Sequence, residues 1–222
     1  DDHESTNDSW VGGAQNHQDA TEGDWSTRRA VATQAWLEWL PVRENPYIDG
    51  QIYRNFRFGN LMDLVMLDTR LEGRSLQAAN VVGLADPGRV LISAEQESWF
   101  FQQLNNSQAR GTRWRFVGQQ VMMGQLVSAD GPLSTDAWDG YPVTKARLLQ
   151  QLASSQINNA VVLTGDIHSS WGNEITANPF AASYRAQAVE FVTPAITSPG
   201  IDAVSYTHLR AHETKANLVC RL

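Results

Sequence analysis

The sequence predicts an α/β fold in which short apolar strands alternate with amphipathic helices. Three observations carry this. Ala160–Thr164 reads AVVLT, a continuous apolar run of strand length. Ile52–Phe58 alternates, with Ile52, Arg54, Phe56 and Phe58 on one side and Tyr53, Asn55 and Arg57 on the other. Between such segments, Ser93-Ala-Glu-Gln96 forms a capping box that opens a helical stretch. This interleaving of two periodicities argues for helices layered on a sheet and against an all-β sandwich.

The elements follow in order. Residues 1–26 are rich in Asp, Asn, Gly and His and read as a loop leaving a strand end. Asp24 or Ser26 is positioned to cap a helix to about Leu40, with Val31, Ala35, Trp36, Trp39 and Leu40 near helical spacing. Pro41 ends it. After the strand Ile52–Phe58, Gly59-Asn60 turns the chain into Leu61–Leu67, a second strand broken only by Asp63. Leu71–Val90 carries Gly73, Gly83, Pro87 and Gly88 and reads as loop. The capped helix runs to about Leu104 and buries Trp99, Phe100 and Leu104. Trp114–Val121 is a strand, and Val127–Pro142 a loop holding Asp130, Asp136, Trp138, Asp139 and Tyr141. Thr144–Ser154 is an amphipathic helix through Leu148, Leu149 and Leu152. Ala188–Thr193 is the last strand, followed by the turn-rich Pro194–Gly200.

The chain has 222 residues, 42 % of them hydrophobic, enough for a substantial core. Net charge is −7, and Lys145 and Lys215 are the only lysines. An acidic surface excludes the clustered cations that nucleic acid requires. No apolar run approaches the roughly 20 residues of a membrane span. The sequence assigns no oligomeric state.

Residues 204–222 stand apart. Val204–Thr214 (VSYTHLRAHET) and Leu218–Leu222 (LVCRL) resemble a translated sequencing adapter, with Lys215, Ala216 and Asn217 as the index between the blocks. The segment is therefore expected to be non-native and is set apart from residues 1–203. Cys220, the single cysteine, goes with it, which leaves residues 1–203 no thiolate metal site and no disulfide. Without the tail, which carries +2, net charge is −9.

Three polar clusters sit where strands are expected to begin or end: Asp1-Asp2-His3-Glu4, Asp68-Thr69-Arg70 and Gly165-Asp166-Ile167-His168-Ser169-Ser170. In α/β folds the reactive groups occupy such places. Carboxylates beside imidazoles suit hard or borderline divalent metals and Fe(III). On an extended segment, Asp166 and His168 would point to the same side. Each cluster also has a plain alternative. Acidic runs are solvated faces more often than sites, Asp68 and Arg70 can form a structural pair, and His17 reads as an ordinary loop residue. Trp138 and Tyr141 taken alone read as packing residues. Ser169 and Ser170 lack the Gly-x-Ser-x-Gly elbow of a nucleophilic serine.

The order DDHE, LMDLVMLDTR, EQESWF, WRFVGQQVMM, DAWDGYP, NNAVVLTGDIHSSW and VEFVTPAITSPG resembles the PhoD-like (alkaline phosphatase D) family, from Asp1 to about Ala203. The resemblance implies a metallophosphoesterase (calcineurin-like) fold, two packed mixed sheets flanked by helices with metals at the strand ends. It implies metal-dependent hydrolysis of small-molecule phosphate mono- and diesters with iron and calcium, by an exported protein. Asp and His would equally suit zinc or manganese.

Carried over residue by residue, Asp2 is a metal ligand and His3 contacts the leaving group. Asp166 and His168 are metal ligands, and Gln120 stands for a middle His ligand. Trp138 and Asp139 line the cleft. Arg70 holds a phosphate oxygen or, on the alternative reading, serves structure. Asp2, His3, Asp166 and His168 are expected to converge on one cleft. Two further ligand segments of the family would lie upstream of Asp1, so this chain reads as the C-terminal part of the domain. It is expected to be inactive alone and to expose sheet edges. A non-catalytic relic that binds metal or phosphate is the alternative.

Overall fold

A computed structural model describes residues 5–43, 50–128, 130–179, 181–194 and 196. A short helix α1 (Asp19–Glu22) precedes α2 (Trp25–Trp39), β1 (Arg54–Phe58) and β2 (Met62–Met66). A 3-10 turn (Val81–Ala85) leads to α3 (Ala94–Ala109) and β3 (Trp114–Gly118). Next come β4 (Val127–Ser128), β5 (Gly131–Pro132), a 3-10 turn (Trp138–Gly140) and α4 (Pro142–Ser154). β6 (Ala160–Thr164), β7 (Trp171–Ile175) and β8 (Ala188–Val192) complete the described elements. The fold is α/β, as predicted.

Six strands form one mixed sheet in the order β1-β2-β3-β6-β8-β7, and β4 pairs with β5 in a separate small ladder. β2, β3, β6 and β8 run parallel, while β1 and β7 are antiparallel edges. Of the two sheets that the resemblance implies, the described residues thus show one large sheet. Val65, Val117 and Val162 align across it on the face that α3 and α4 cover. Phe100 and Leu104 from α3, and Leu148, Leu149 and Leu152 from α4, complete that core. Each such side chain contributes about 1.5–3 kcal/mol by leaving water. The opposite face leaves Phe58, Trp114, Leu163 and Phe191 exposed.

Ser93 caps α3, its hydroxyl accepting from the Gln96 amide at 3.0 Å. The reciprocal half of the capping box does not form, because the Gln96 carboxamide turns away from the Ser93 amide. That carboxamide instead meets the Asp68 backbone, accepting from N at 2.8 Å and donating to O at 2.9 Å. The Ser93 amide goes to Glu72 Oε2 at 3.2 Å. The cap therefore ties α3 to the end of β2.

The structure departs from the sequence reading in several places. α3 continues to Ala109 rather than stopping near Leu104. β7 was not anticipated, because Trp-Gly-Asn-Glu-Ile carries little alternation and forms a strand by pairing with β8. α2 was expected to bury an apolar stripe. Instead Trp25 is its one buried residue, and Val31, Trp39 and Leu40 are exposed, Trp39 at 84 %. Its anchor is the first turn, where Trp25 Nε1 donates to Val11 O at 3.2 Å. Neither expected cap acts: Asp24 makes no side-chain cap and Ser26 lies inside the helix.

Candidate active site at the strand ends

Because β2, β3, β6 and β8 are parallel, the segments that follow them emerge at one edge of the sheet. They are Asp68-Thr69-Arg70, Gln119-Gln120, Gly165–Ser170 and Thr193. Reactive groups of open α/β sheets collect at this edge.

Arg70 links the segments. Its side chain is 3 % exposed and donates to Asp136 Oδ1 at 2.7 Å and to Asp166 Oδ1 at 2.9 Å. Asp136 also accepts from Arg74 and, at 2.7 Å, from Gln77 Nε2. Arg74 lies fully buried, donating to Thr69 O at 2.9 Å, with its guanidinium 5.0 Å from the Tyr141 ring centre. Burial alone would push the Asp136 carboxyl up. Arg74, Arg70 and the hydrogen bonds from Arg70 and Gln77 outweigh it and hold the group below the usual range. Asp68 goes the other way. Burial raises it, offset only in part by the Leu71 and Arg70 amides on its carboxylate.

Asp166 and His168 both follow β6, but the segment is not extended as expected. Their φ angles are +74° and +56°, so the backbone turns sharply at both residues. Asp and His are among the few non-glycine types that tolerate this region. Backbone strain of this kind clusters at functional sites. One carboxylate and one imidazole on this turn match the donor chemistry of a hard or borderline metal. No group of three or more His, Cys, Asp or Glu that could hold a metal occurs among the described residues. Asp2 and His3 lie outside those residues, so the expected convergence of Asp2, His3, Asp166 and His168 falls partly outside the described structure.

Gln120, the expected middle ligand, lies on the cleft wall and is hydrogen-bonded at both ends of its carboxamide. Its Oε1, the one atom able to bind a metal, accepts from Thr69 N at 2.8 Å and Thr69 Oγ1 at 2.6 Å. Its Nε2 donates to Leu67 O at 2.9 Å. The carboxamide thus clamps the end of β2 to the end of β3. Trp138 and Asp139, the residues expected to line the cleft, are both buried. Trp138 is fully buried, its Nε1 donating to Gln119 Oε1 at 3.0 Å. Asp139 faces inward, bound to Lys145 Nζ at 2.8 Å and the Leu126 amide at 2.7 Å. The Ser169 hydroxyl accepts from Trp171 Nε1 at 2.7 Å and donates to Ile167 O at 3.3 Å.

Beside these strand ends lies a cleft of about 880 Å³, bounded by α2, Gln51–Tyr53, Asp68–Glu72 and Gln120. Ser5, the first described residue, lines it too.

A family model described as PhoD-like phosphatase matches residues 1–220, a span that includes most of the tail-like segment. The chain belongs to the PhoD-like phosphatase family. Alkaline phosphatase D of Bacillus subtilis (strain 168) is 37 % identical over 185 residues, covering 78 % of this chain and 31 % of that protein. A solved structure of PhoD superposes with a TM-score of 0.80 at 34 % identity, covering 89 % of this chain and 39 % of that one. The chain therefore spans about a third of the length of the PhoD-like relatives it matches.

Sequence reasoning missed three residues of this PhoD-like edge. Asp136 reads in the sequence as a loop acid, although it opens the DAWDGYP motif. Glu190 was passed over, yet a lone acid inside the apolar strand AVEFV signals a buried carboxylate. It accepts from Met123 N, Gly124 N and Thr164 Oγ1 at 2.7 Å and from Asn173 Nδ2 at 2.8 Å, pinning the segment after β3. Arg74 gave no local signal.

Proposed function

We propose that the whole protein hydrolyses phosphate mono- and diesters at the sheet edge where β2, β3, β6 and β8 end. Besides family membership, the single observation that carries this is the Arg70 bridge. It joins the end of β2 to the Asp166–His168 turn, the two segments singled out for chemistry. In this reading Asp166 and His168 hold iron or calcium together with Asp2, and zinc or manganese suit the same donors. Bound metal would supply Lewis-acid stabilisation of charge at phosphorus and a lowered pKa for water. His3 donates to the leaving oxygen. Arg70 keeps Asp166 oriented through Oδ1, a positioning role better supported by its burial than direct phosphate binding.

Small-molecule phosphoesters are the proposed substrates, and the proposed location is outside the cytoplasm. The 222-residue chain alone, which spans about a third of the length of the relatives it matches, is proposed to be inactive. The test is aryl phosphate turnover with iron and calcium added, by the whole protein and by this chain. Activity in the whole protein should disappear with a chelator and fall at least about 100-fold in His168→Ala. Turnover that survives chelation would overturn the metal reading. Turnover by the chain well above its His168→Ala variant would overturn the inactivity.

A further inference from the structure

We infer that the cleft between α2 and the end of β2 receives the organic, alcohol-derived half of the phosphoester and favours one that carries a planar ring. This rests on the phosphoester reading above and extends it to substrate class. The cleft measures about 880 Å³, within the usual span of small-molecule sites and far more than a phosphoryl group fills. One end is made by Asp68, Arg70 and Gln120, the same strand ends that gather the candidate chemistry. The cleft is thus continuous with that edge.

The far wall is apolar and aromatic, formed by Trp36 and Leu37 of α2 with Ile52 and Tyr53. Tyr53 is held against Trp99, with ring centres 4.8 Å apart at 56°. A half-buried Trp and a braced Tyr offer ring faces and edges to a planar partner. Arg29 on the same wall is tied to Val11 O at 3.3 Å. Charges of both signs, Arg29 with Glu38 and Glu72, line the cleft, so the wall sets no single-sign preference for the bound group.

The test is titration of the whole protein, supplied with iron and calcium, with inorganic phosphate, methylphosphonate and phenylphosphonate, followed by calorimetry. Phenylphosphonate should bind about tenfold more tightly than methylphosphonate, the scale of one aromatic contact set. Trp36→Ala should shrink that ratio below about threefold, while Trp39→Ala, three residues on and outside the cleft, should preserve it. Tyr53→Ala is the second variant and should also shrink it, which keeps the test valid if Trp36→Ala misfolds. Equal binding of both phosphonates, with phosphate still bound, overturns the ring preference and leaves the phosphoester reading intact. A ratio unaffected by both cleft variants also overturns it, because the ring then sits elsewhere. Binding of none of the three overturns this inference and the phosphoryl site together.

Discussion

Replacing Asp136 by Asn removes a charge without changing shape, and the structure says what that exposes. Arg70 and Arg74 have side chains 3 % and 0 % exposed, and both donate to Asp136. Arg70 retains Asp166. Among the described residues Arg74 pairs with no second carboxylate, so it becomes a buried cation facing a neutral amide. Breaking one partner of a buried pair costs about 3–5 kcal/mol, and the surviving Arg70–Asp166 contact places this case near the lower end. With a urea m-value of about 2 kcal/mol per M, the unfolding midpoint should fall by about 1.5 M at neutral pH. Asp130→Asn, an exposed acid on the same loop, is the control and should move it little. The pH dependence fixes the sign. The folded Asp136 carboxyl lies below its ordinary value, so its stabilisation is full above the ordinary carboxylate range. It is lost as pH falls through the depressed value, so wild type and variant should converge in strong acid. A neutral-pH loss below about 1 kcal/mol, or a gap that persists in acid, would refute the argument.

Three further outcomes are expected. Gly140→Ala should destabilise by about 1–3 kcal/mol in urea unfolding, because an added Cβ would stand 1.8 Å from Thr135 O, which is backbone and has little room to yield. Glu190→Gln sets an NH₂ group among four donors and should cost about 2 kcal/mol, read as a lower thermal midpoint with near-ultraviolet dichroism altered around Trp171. Ser93→Ala should cost about 1 kcal/mol, while Ser93→Asn should keep most of that by preserving a side-chain acceptor at the cap.

The strands with strong local signals were legible: AVVLT became β6 unchanged, and Leu61–Leu67 became β2 with one residue trimmed at each end. The Ser93 half of the capping box was legible because it depends only on the four residues Ser93 to Gln96. What failed depended on distant partners. β7 exists by pairing with β8, and α2 is a helix whose apolar residues find little to bury them. At the site, Asp166 and His168 stood out because a polar pair directly after a buried strand is conspicuous. Their turned backbone was not, since φ is set by the packing of the loop. Gln120 was read as a ligand because sequence gives residue type, whereas its hydrogen bonds to Thr69 and Leu67 come from a neighbouring strand.

The parallel arrangement of the four inner strands has a kinetic meaning. The Arg70–Asp166 contact closes a loop of 96 residues, and the Arg70–Asp136 contact one of 66. Closing such loops costs entropy before any contact repays it, so non-local pairings form late and folding slows. No stretch of this chain shorter than Arg70 to Asp166 can assemble that bridge. A ligand that recognises the joined edge would therefore report on completed folding, and would stay silent toward intermediates that already hold native helices.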